Sequence, residues 1–235
     1  MTKTTSDEFV IEGGHVLTPD FDVIEADVLI DRAAGVVLDV DDDLNGDETL
    51  DATDSLVMPG LVNAHTHVAM TLLRGYADDK PLDAWLREDI WPVEAALTDD
   101  DIAVGAELGV LEMIRSGTTA FADMYFAMDR VAAVVERAGV RARLGRGVVT
   151  VTKSDAEAAA DVDESLSFAT SFDGAADGRI RTAFMPHSLT TVDESHLREG
   201  IEQATAAGVP VHLHANETRD EVDPIVDEHG ERPLA

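Results

Sequence analysis

The first quarter of the chain alternates short apolar runs with turn residues, whereas later apolar runs alternate with helical patterns. Up to about Leu56, runs such as 26–30 and 35–40 are separated by pairs such as Gly13-Gly14 and Asn45-Gly46, which predicts a small β module. Leu56-Val57-Met58 then indicates the start of a buried strand, expected near 58–64. Four further strands are expected where the pattern repeats, at 118–124, 140–149, 180–186 and 209–215.

Capping signals place helices between these strands. Thr98 with Asp101 three residues later predicts a helix start, and Gly117 predicts its end. Ser154 and Glu157 form a capping box for a helix that reaches roughly Thr170. The remaining helices are expected at 129–138, from Asp193 to Gly208 and from Thr218 onwards.

Strands that alternate with helices imply βαβ crossovers and therefore a parallel sheet. Five such strands fit two architectures. One is an open five-stranded α/β sheet, and the other is the first part of a (β/α)8 TIM-type barrel, which needs eight strands and typically about 250 residues. The chain from Leu56 onwards is too short for the complete barrel.

The composition restricts the possible chemistry. The net charge is −31 with only three lysines, yet 45% of residues are hydrophobic, so we expect a folded protein with an acidic surface adapted to a high-salt cytoplasm. The same negative surface charge argues against nucleic-acid binding, which requires a cationic surface. Neither a signal segment nor a membrane-spanning run is present, which predicts a cytoplasmic protein without a membrane partner. Without cysteine, any metal ligands must be histidines and carboxylates.

Histidines cluster where the expected strands end. His65 and His67 share one face of a strand because side chains alternate, and such a pair can bind one divalent metal, usually zinc. Two unrelated strand-end histidines are the alternative. His214 ends the fifth strand, with His212 one layer deeper, as a residue behind the site or in the core. Glu217 follows as a candidate proton carrier, or else as a carboxylate favoured at a helix N-terminus.

These motifs resemble a known family over nearly the whole chain from about residue 9. Pro59–His67 (PGLVNAHTH) followed by residues 72–79 (LLRGYADD) resembles the metal-dependent amidohydrolase superfamily. The segments that are most similar to the 5′-methylthioadenosine/S-adenosylhomocysteine deaminases are Trp85-Leu86, 90–94 (IWPVE), 117–119 (GTT), 123–125 (DMY), 185–188 (MPHS) and 212–217 (HLHANE).

The resemblance implies a fold and a set of roles. The fold is α/β, an amidohydrolase-type TIM barrel with about five of eight strands in residues 58–235, preceded at 1–57 by part of a small β-sandwich module. One divalent ion, Zn2+ with Fe2+ or Mn2+ as alternatives, is implied. The implied roles are metal ligation by His65, His67 and His214, general acid/base catalysis by Glu217, ribose binding by Glu94, and substrate contacts by His187 and Arg146.

Each substrate-binding role has a structural alternative. Glu94 would otherwise be a solvated helix residue, His187 a capped turn residue without a ligand contact, and Arg146 a salt-bridge partner at the barrel rim. Trp85 and Trp91 are expected to pack within the protein instead of stacking on a substrate.

The implied reaction is hydrolytic deamination of an adenine nucleoside by a metal-activated hydroxide, with Glu217 moving the protons. A guanine- or triazine-type aminohydrolase is the alternative within the superfamily. Family members also carry a histidine after the sixth strand and an aspartate after the eighth, which this chain lacks. We therefore expect a fragment of a longer enzyme, with a non-catalytic remnant as the alternative, and leave a homo-oligomer open.

Overall fold

The computed structural model describes residues 7–234, which form two compact units that divide between Gly60 and Leu61. The predicted domain boundary at 57/58 stays a prediction. The first unit is a five-stranded sheet in the order β3-β2-β1-β4, with β5 also paired to β1. Its strands are β1 Glu8–Leu17, β2 Val23–Asp31, β3 Val36–Asp41, β4 Glu48–Asp51 and β5 Leu56–Val57. Strand β2 is antiparallel to β1 and β3, and β4 and β5 run parallel to β1.

The core of the first unit is small. Val16, Ala26 and Val28 are buried on one face of the sheet, and partly buried neighbours on β1, β2 and β5 complete the cluster. Residues 7–60 contain this one sheet, so the second sheet that a sandwich requires does not lie among them.

The second unit is built on a parallel sheet, as the strand and helix alternation predicted. Its strands are β6 Leu61–Thr66, β7 Thr118–Tyr125, β8 Arg141–Val148, β9 Ile180–Thr182 and β10 Met185–Pro186. Strand β7 lies between β6 and β8, and both β9 and β10 pair with β8. Strands β9 and β10 are the two parts of the predicted fourth strand at 180–186.

The predicted fifth strand at 209–215 pairs at two points only. Single parallel bridges join Phe184 to Val211 and Ser188 to His214, and no continuous ladder forms. One cause is Pro210, which has no N–H to donate to a neighbouring strand. The bridges nevertheless place His214 beside the end of β10, because its N–H donates to the carbonyl of His187.

Helical segments lie between and after these strands. They are a 3₁₀ helix Val68–Leu73, α1 Leu82–Ala84, a π-helical turn Trp85–Ile90, α2 Trp91–Glu94, α3 Asp99–Arg115, α4 Met128–Ala138, α5 Asp155–Phe172, α6 Glu194–Ala206 and α7 Arg219–His229. The predicted capping box of Ser154 with Glu157 is present, and Thr98, the predicted N-cap, forms a second capping box with Asp101. No helix in the described range is long and apolar enough to cross a membrane.

The expectation of a buried first strand is wrong for β6. Leu61 and Val62 are 49% and 70% exposed, because β6 pairs with β7 on one side and no strand within residues 61–234 pairs with its other side. The core lies instead between β7, β8, β9 and helices α3 to α5, where Phe121, Leu144 and Ile180 are buried. This core fixes the carboxyl ends of β7 and β8.

Candidate metal centre

Three histidines from distant parts of the chain converge on one point. His65 and His67 lie at the end of β6, and His214 lies in the bridged segment after α6. The Nε2 atom of His214 is 3.1 Å from Nε2 of His65 and 3.2 Å from Nε2 of His67. His65 is exposed and the other two are half-buried, so the cluster is open on one side.

Hydrogen bonds fix the tautomers of two of these rings. Nδ1 of His67 lies 2.7 Å from the carbonyl oxygen of Met124, and Nδ1 of His214 lies 2.8 Å from that of His187. A carbonyl oxygen only accepts, so both Nδ1 atoms carry the hydrogen and both Nε2 atoms of the neutral rings present lone pairs. Burial also lowers the pKa of His67, which favours its neutral form.

Two lone pairs that face each other at 3.2 Å repel unless a cation lies between them. Nitrogens bound tetrahedrally to zinc at 2.0–2.1 Å would stand about 3.3–3.4 Å apart, close to the observed separations. The three nitrogens therefore fit a divalent ion, and each Nδ1 bond orients its ring as the outer contacts of metal ligands usually do.

A buried aspartate on β7 holds the residues on both sides of His67. Oδ1 of Asp123 accepts from the side-chain hydroxyl of Thr66 at 2.7 Å and from the backbone N–H of Val68 at 2.6 Å. Asp123 is completely buried, its Oδ2 has no partner, and desolvation raises its pKa to about 7. Sequence reasoning placed Asp123 at a strand end without giving it a role. The available signal was Thr66, whose side chain must point to the face opposite the two histidines and needs a partner there.

The three histidines line a cavity that has one polar and one apolar side. The polar groups that line it are His65, His67, His187, His214, Glu94 and Glu217. Trp85 and Trp91, which the sequence predicted to pack within the protein, also line it, together with Leu86 and Ile90. The structure thus brings together six of the seven predicted site residues and adds an aromatic and aliphatic wall.

Glu217 lies just outside helix α7, in the loop that follows His214. Asn216 turns the backbone through the left-handed region at φ 59°, and Thr218 is the N-cap of α7. The N–H of Glu217 donates to Oε2 of Glu221 at 2.7 Å, and the N–H of Glu221 donates to Thr218 Oγ1 at 3.3 Å. These bonds fix the loop and leave the Glu217 side chain to line the cavity.

A hydrogen bond from β7 holds Glu94 at the other end of the cavity. Tyr125 Oη donates to Glu94 Oε1 at 2.6 Å, and Tyr125 is only 4% exposed. Desolvation raises the pKa of Glu94 while the tyrosine hydrogen bond opposes that shift. Desolvation and the contact with Glu94 also raise the pKa of Tyr125, which keeps its hydroxyl a donor.

His187 lies beside the three-histidine cluster. Its ring centroid is 4.7 Å from that of His214, and its Nδ1 is 2.9 Å from Thr191 Oγ1. Desolvation, with smaller contributions from His214 and His67, lowers its pKa to about 4, so the ring is neutral near pH 7. His212 stands outside the three-nitrogen cluster, and burial lowers its pKa as well.

Arg146 is directed away from the cavity. Its guanidinium binds Asp161 and lies 2.8 Å from Glu164, while Lys153 reaches the other oxygen of Asp161 at 2.6 Å. The neighbouring Gly147 lines the cavity in its place. These contacts match the salt-bridge alternative, and a substrate contact by Arg146 stays a prediction.

Comparison with known proteins identifies the family. The Amidohydrolase family profile matches residues 56–234. A 5-methylthioadenosine/S-adenosylhomocysteine deaminase of Halobacterium salinarum is 65% identical over 97% of this chain and 53% of its own length, and one of Haloarcula marismortui is 64% identical with the same coverage. The chain spans about half the length of the curated relatives it matches.

A solved structure of a similar protein supports the fold. An adenosine deaminase from Xanthomonas campestris with bound zinc superposes with a TM-score of 0.82 at 37% identity, over 96% of this chain and 53% of that one. The halophilic sources of the similar sequences also fit the acidic composition. With a family match that spans the whole parallel-sheet unit, the chain belongs to the amidohydrolase family.

Proposed function

We propose that this chain forms the metal- and nucleoside-binding part of a hydrolytic deaminase that acts on adenine nucleosides of the 5′-methylthioadenosine and S-adenosylhomocysteine class. The observation that carries the proposal is a single cavity with three convergent imidazole nitrogens, Glu217 beside them and Glu94 held by Tyr125. The names of the similar deaminases support the choice of substrate.

His65, His67 and His214 would hold one divalent ion, and zinc is our first choice because the similar adenosine deaminase contains it. When bound, such an ion polarises a water molecule and lowers its pKa towards neutrality. The Nδ1 bonds of His67 and His214 keep both rings in the tautomer that ligation requires.

Glu217 would act as the proton carrier. In the proposed hydrolysis, a C6–O bond forms with the water oxygen and the C6–N bond of the exocyclic amine breaks. Glu217 takes one proton from the attacking water and delivers it to the purine ring nitrogen. It then moves the second proton from the new C6 hydroxyl to the exocyclic amine, which leaves as ammonia while the C6 carbonyl forms. Its anchored backbone and free side chain suit a group that must reach both positions.

Glu94 and His187 would orient the nucleoside. Tyr125 occupies Oε1 of Glu94, which leaves Oε2 to accept a hydrogen bond from a ribose hydroxyl. His187 uses Nδ1 for Thr191, which leaves Nε2 for the ligand. In this proposal the protein works in the cytoplasm on a small nucleoside.

The test combines binding and turnover. The zinc-loaded chain is titrated with 5′-methylthioadenosine in high salt, and ammonia release is measured for the chain alone and for a chimera that continues into the second half of the Halobacterium salinarum relative. We expect the chain to bind the nucleoside and the chimera to release ammonia. Glu94→Gln should weaken binding about tenfold, whereas Glu202→Gln, on the exposed face of α6, should not change it.

The alternatives give different outcomes. A guanine- or triazine-type aminohydrolase would use the same histidines and Glu217 but would not depend on Glu94 for a ribosyl ligand. Equal nucleoside affinity of wild type and Glu94→Gln would therefore contradict the nucleoside assignment. No ammonia from either the chain or the chimera would favour a non-catalytic metal-binding protein.

A further inference from the structure

The segment that carries both tryptophans contains one turn that is wider than an α-helical turn. The N–H of Trp85 donates to the carbonyl of Pro81 four residues earlier, and the N–H of Ala95 donates to that of Trp91. Between them, the N–H of Trp91 donates to the carbonyl of Leu86, five residues earlier. This i→i−5 bond defines a single π-helical turn, a rare feature that occurs frequently at functional sites.

The sequence explains why the turn is wide at this place. Pro92 has no N–H, and in a regular α-helix its ring would clash with the carbonyl of Glu88, four residues earlier. An extra residue in the turn moves that carbonyl away. The wide turn thus follows from Pro92 within a segment that is otherwise helical.

The wide turn determines which side chains face the cavity. Residues five apart in an α-helix point about 140° away from each other, since each residue turns the chain by about 100°. The π-helical turn instead aligns Trp85 with Ile90 and Leu86 with Trp91, and Glu94 follows three residues later on the same side. All five side chains line the cavity.

Ion pairs hold the charged side chains of the segment. Arg87 binds Asp83 at 2.7 Å and lies 5.2 Å above the ring of Trp91, and Lys80 binds Asp89. None of these four charged residues lines the cavity, so the wall that the segment contributes beside Glu94 is aromatic and aliphatic.

We propose that the π-helical turn Trp85–Ile90 is the specificity-determining element of the cavity. It sets the register between the apolar wall and the Glu94 carboxylate, so that a hydroxylated sugar at Glu94 and an apolar substituent on that sugar are bound together. This inference rests on the proposed nucleoside function and adds to it the element that selects the sugar and its substituent over the bare base.

Pro92→Ala tests the register directly. Pro92 does not line the cavity, and its replacement removes the clash that keeps the turn wide. Once the segment continues as an α-helix of unchanged length, Trp85 and Ile90 stand about 140° apart. Glu88→Ala is the matched control, because it replaces an exposed residue of the same segment that does not line the cavity, and it keeps Pro92.

The readout is the ratio of two affinities in the zinc-loaded chain, for 5′-methylthioadenosine and for adenine. Trp85 and Trp91 are the chain's two tryptophans, so their fluorescence reports binding at this wall. We expect Pro92→Ala to lower the ratio about tenfold or more and Glu88→Ala to leave it within about twofold. A general loss of folding would lower both affinities alike and leave the ratio unchanged.

An unchanged ratio in a Pro92→Ala variant that still binds zinc would overturn the inference and leave the proposed function intact. Failure of the wild type to bind the nucleoside would overturn the proposed function and the inference with it. If Pro92→Ala does not bind zinc, the double variant that also lacks Glu88 decides. In an α-helix this deletion places Trp85 and Ile90 four residues apart and about 40° from each other, so the ratio should stay within about twofold of the wild-type value, and a lowered ratio would overturn the inference.

Discussion

Nε2 of His214 faces Nε2 of His67 at 3.2 Å, although each ring donates its Nδ1 hydrogen to a backbone carbonyl and has none to place between them. The two residues are 147 positions apart, so a bound cation would link β6 to the segment that follows α6. The arrangement is unfavourable without a positive charge at its centre. Metal binding and the stability of this unit should therefore be coupled.

Replacing His214 with alanine should abolish tight zinc binding. The remaining pair, His65 and His67, lies at the exposed end of β6, so we expect the zinc dissociation constant to rise at least about 100-fold. Calorimetric titration of the chelator-treated chain measures this constant. His15→Ala, an exposed histidine of the first unit, is the control, and equal affinities for the two variants would contradict the three-histidine site.

Asp123 should raise zinc affinity by holding the residues on each side of His67. Asp123→Ala removes the acceptor of the Thr66 and Val68 hydrogen bonds, and we expect zinc affinity to fall about 10- to 100-fold. Asp123→Asn keeps an oxygen acceptor and should recover most of the loss.

Because residue 123 is completely buried, its substitution can also destabilise the fold. Thermal unfolding of the metal-free variants measures that loss of stability separately from zinc affinity. Thr66→Val removes one of the two hydrogen bonds at a half-buried position and should weaken zinc binding without lowering the melting temperature. A variant set in which zinc affinity simply follows melting temperature would assign Asp123 a purely structural role.

The clustering of the three histidines was predictable from sequence because two simple rules apply to them. Alternation along a strand puts His65 and His67 on one face, and parallel strands end at one edge of the sheet, which brings in His214. Neither rule depends on the structure of the segments between these strands. The same rules do not predict how exposed β6 is, since burial depends on what covers a strand.

Contacts that depend on irregular geometry were less predictable. The wide turn at Trp85–Ile90 breaks the helical period, so Trp85 and Trp91 could not be assigned to the cavity by counting residues. Arg146 lies near the carboxyl end of β8, where the strand-end rule places it close to the site. Its guanidinium nevertheless binds Asp161, which lies 15 positions later on α5. No periodic pattern connects those two positions.

Tyr125→Phe should weaken binding of ribosyl ligands while the affinity for adenine is unchanged. Without the tyrosine hydroxyl, Glu94 loses the hydrogen bond that holds its carboxylate, and we expect about a three- to tenfold loss of nucleoside affinity. Tyr76→Phe, the chain's other tyrosine and 45% exposed, is the control. Fluorescence titration measures both variants, and equal losses would exclude a specific role for Tyr125.

The pH dependence of the same variant gives a second readout. Desolvation raises the pKa of Glu94 and the Tyr125 hydrogen bond lowers it, so removing that bond should raise the pKa further. If the ionised carboxylate binds the ribose, nucleoside affinity should begin to fall at a higher pH in Tyr125→Phe than in wild type. Identical acidic limbs in the two proteins would contradict this role of Glu94.

The ion pairs around Asp161 should stabilise the fold near neutral pH and lose that effect in acid. Asp161 is 5% exposed and accepts from Arg146, from Lys153 and from the N–H of Val149, which ties the loop after β8 to α5. Burial acts to raise its pKa, but the hydrogen bonds from Lys153 and Arg146 outweigh it and hold the pKa below its ordinary value.

Because the folded pKa is lowered, the stabilisation should be complete above the ordinary aspartate pKa of about 3.9 and vanish as the pH falls through the folded value. We expect Asp161→Asn to lower the free energy of unfolding by about 1–3 kcal/mol at pH 7, with a smaller difference in acid. Chemical denaturation in high salt measures this. Asp163→Asn, an exposed position on the same helix, is the control, and equal stability of the two variants at pH 7 would show that the ion pairs contribute nothing.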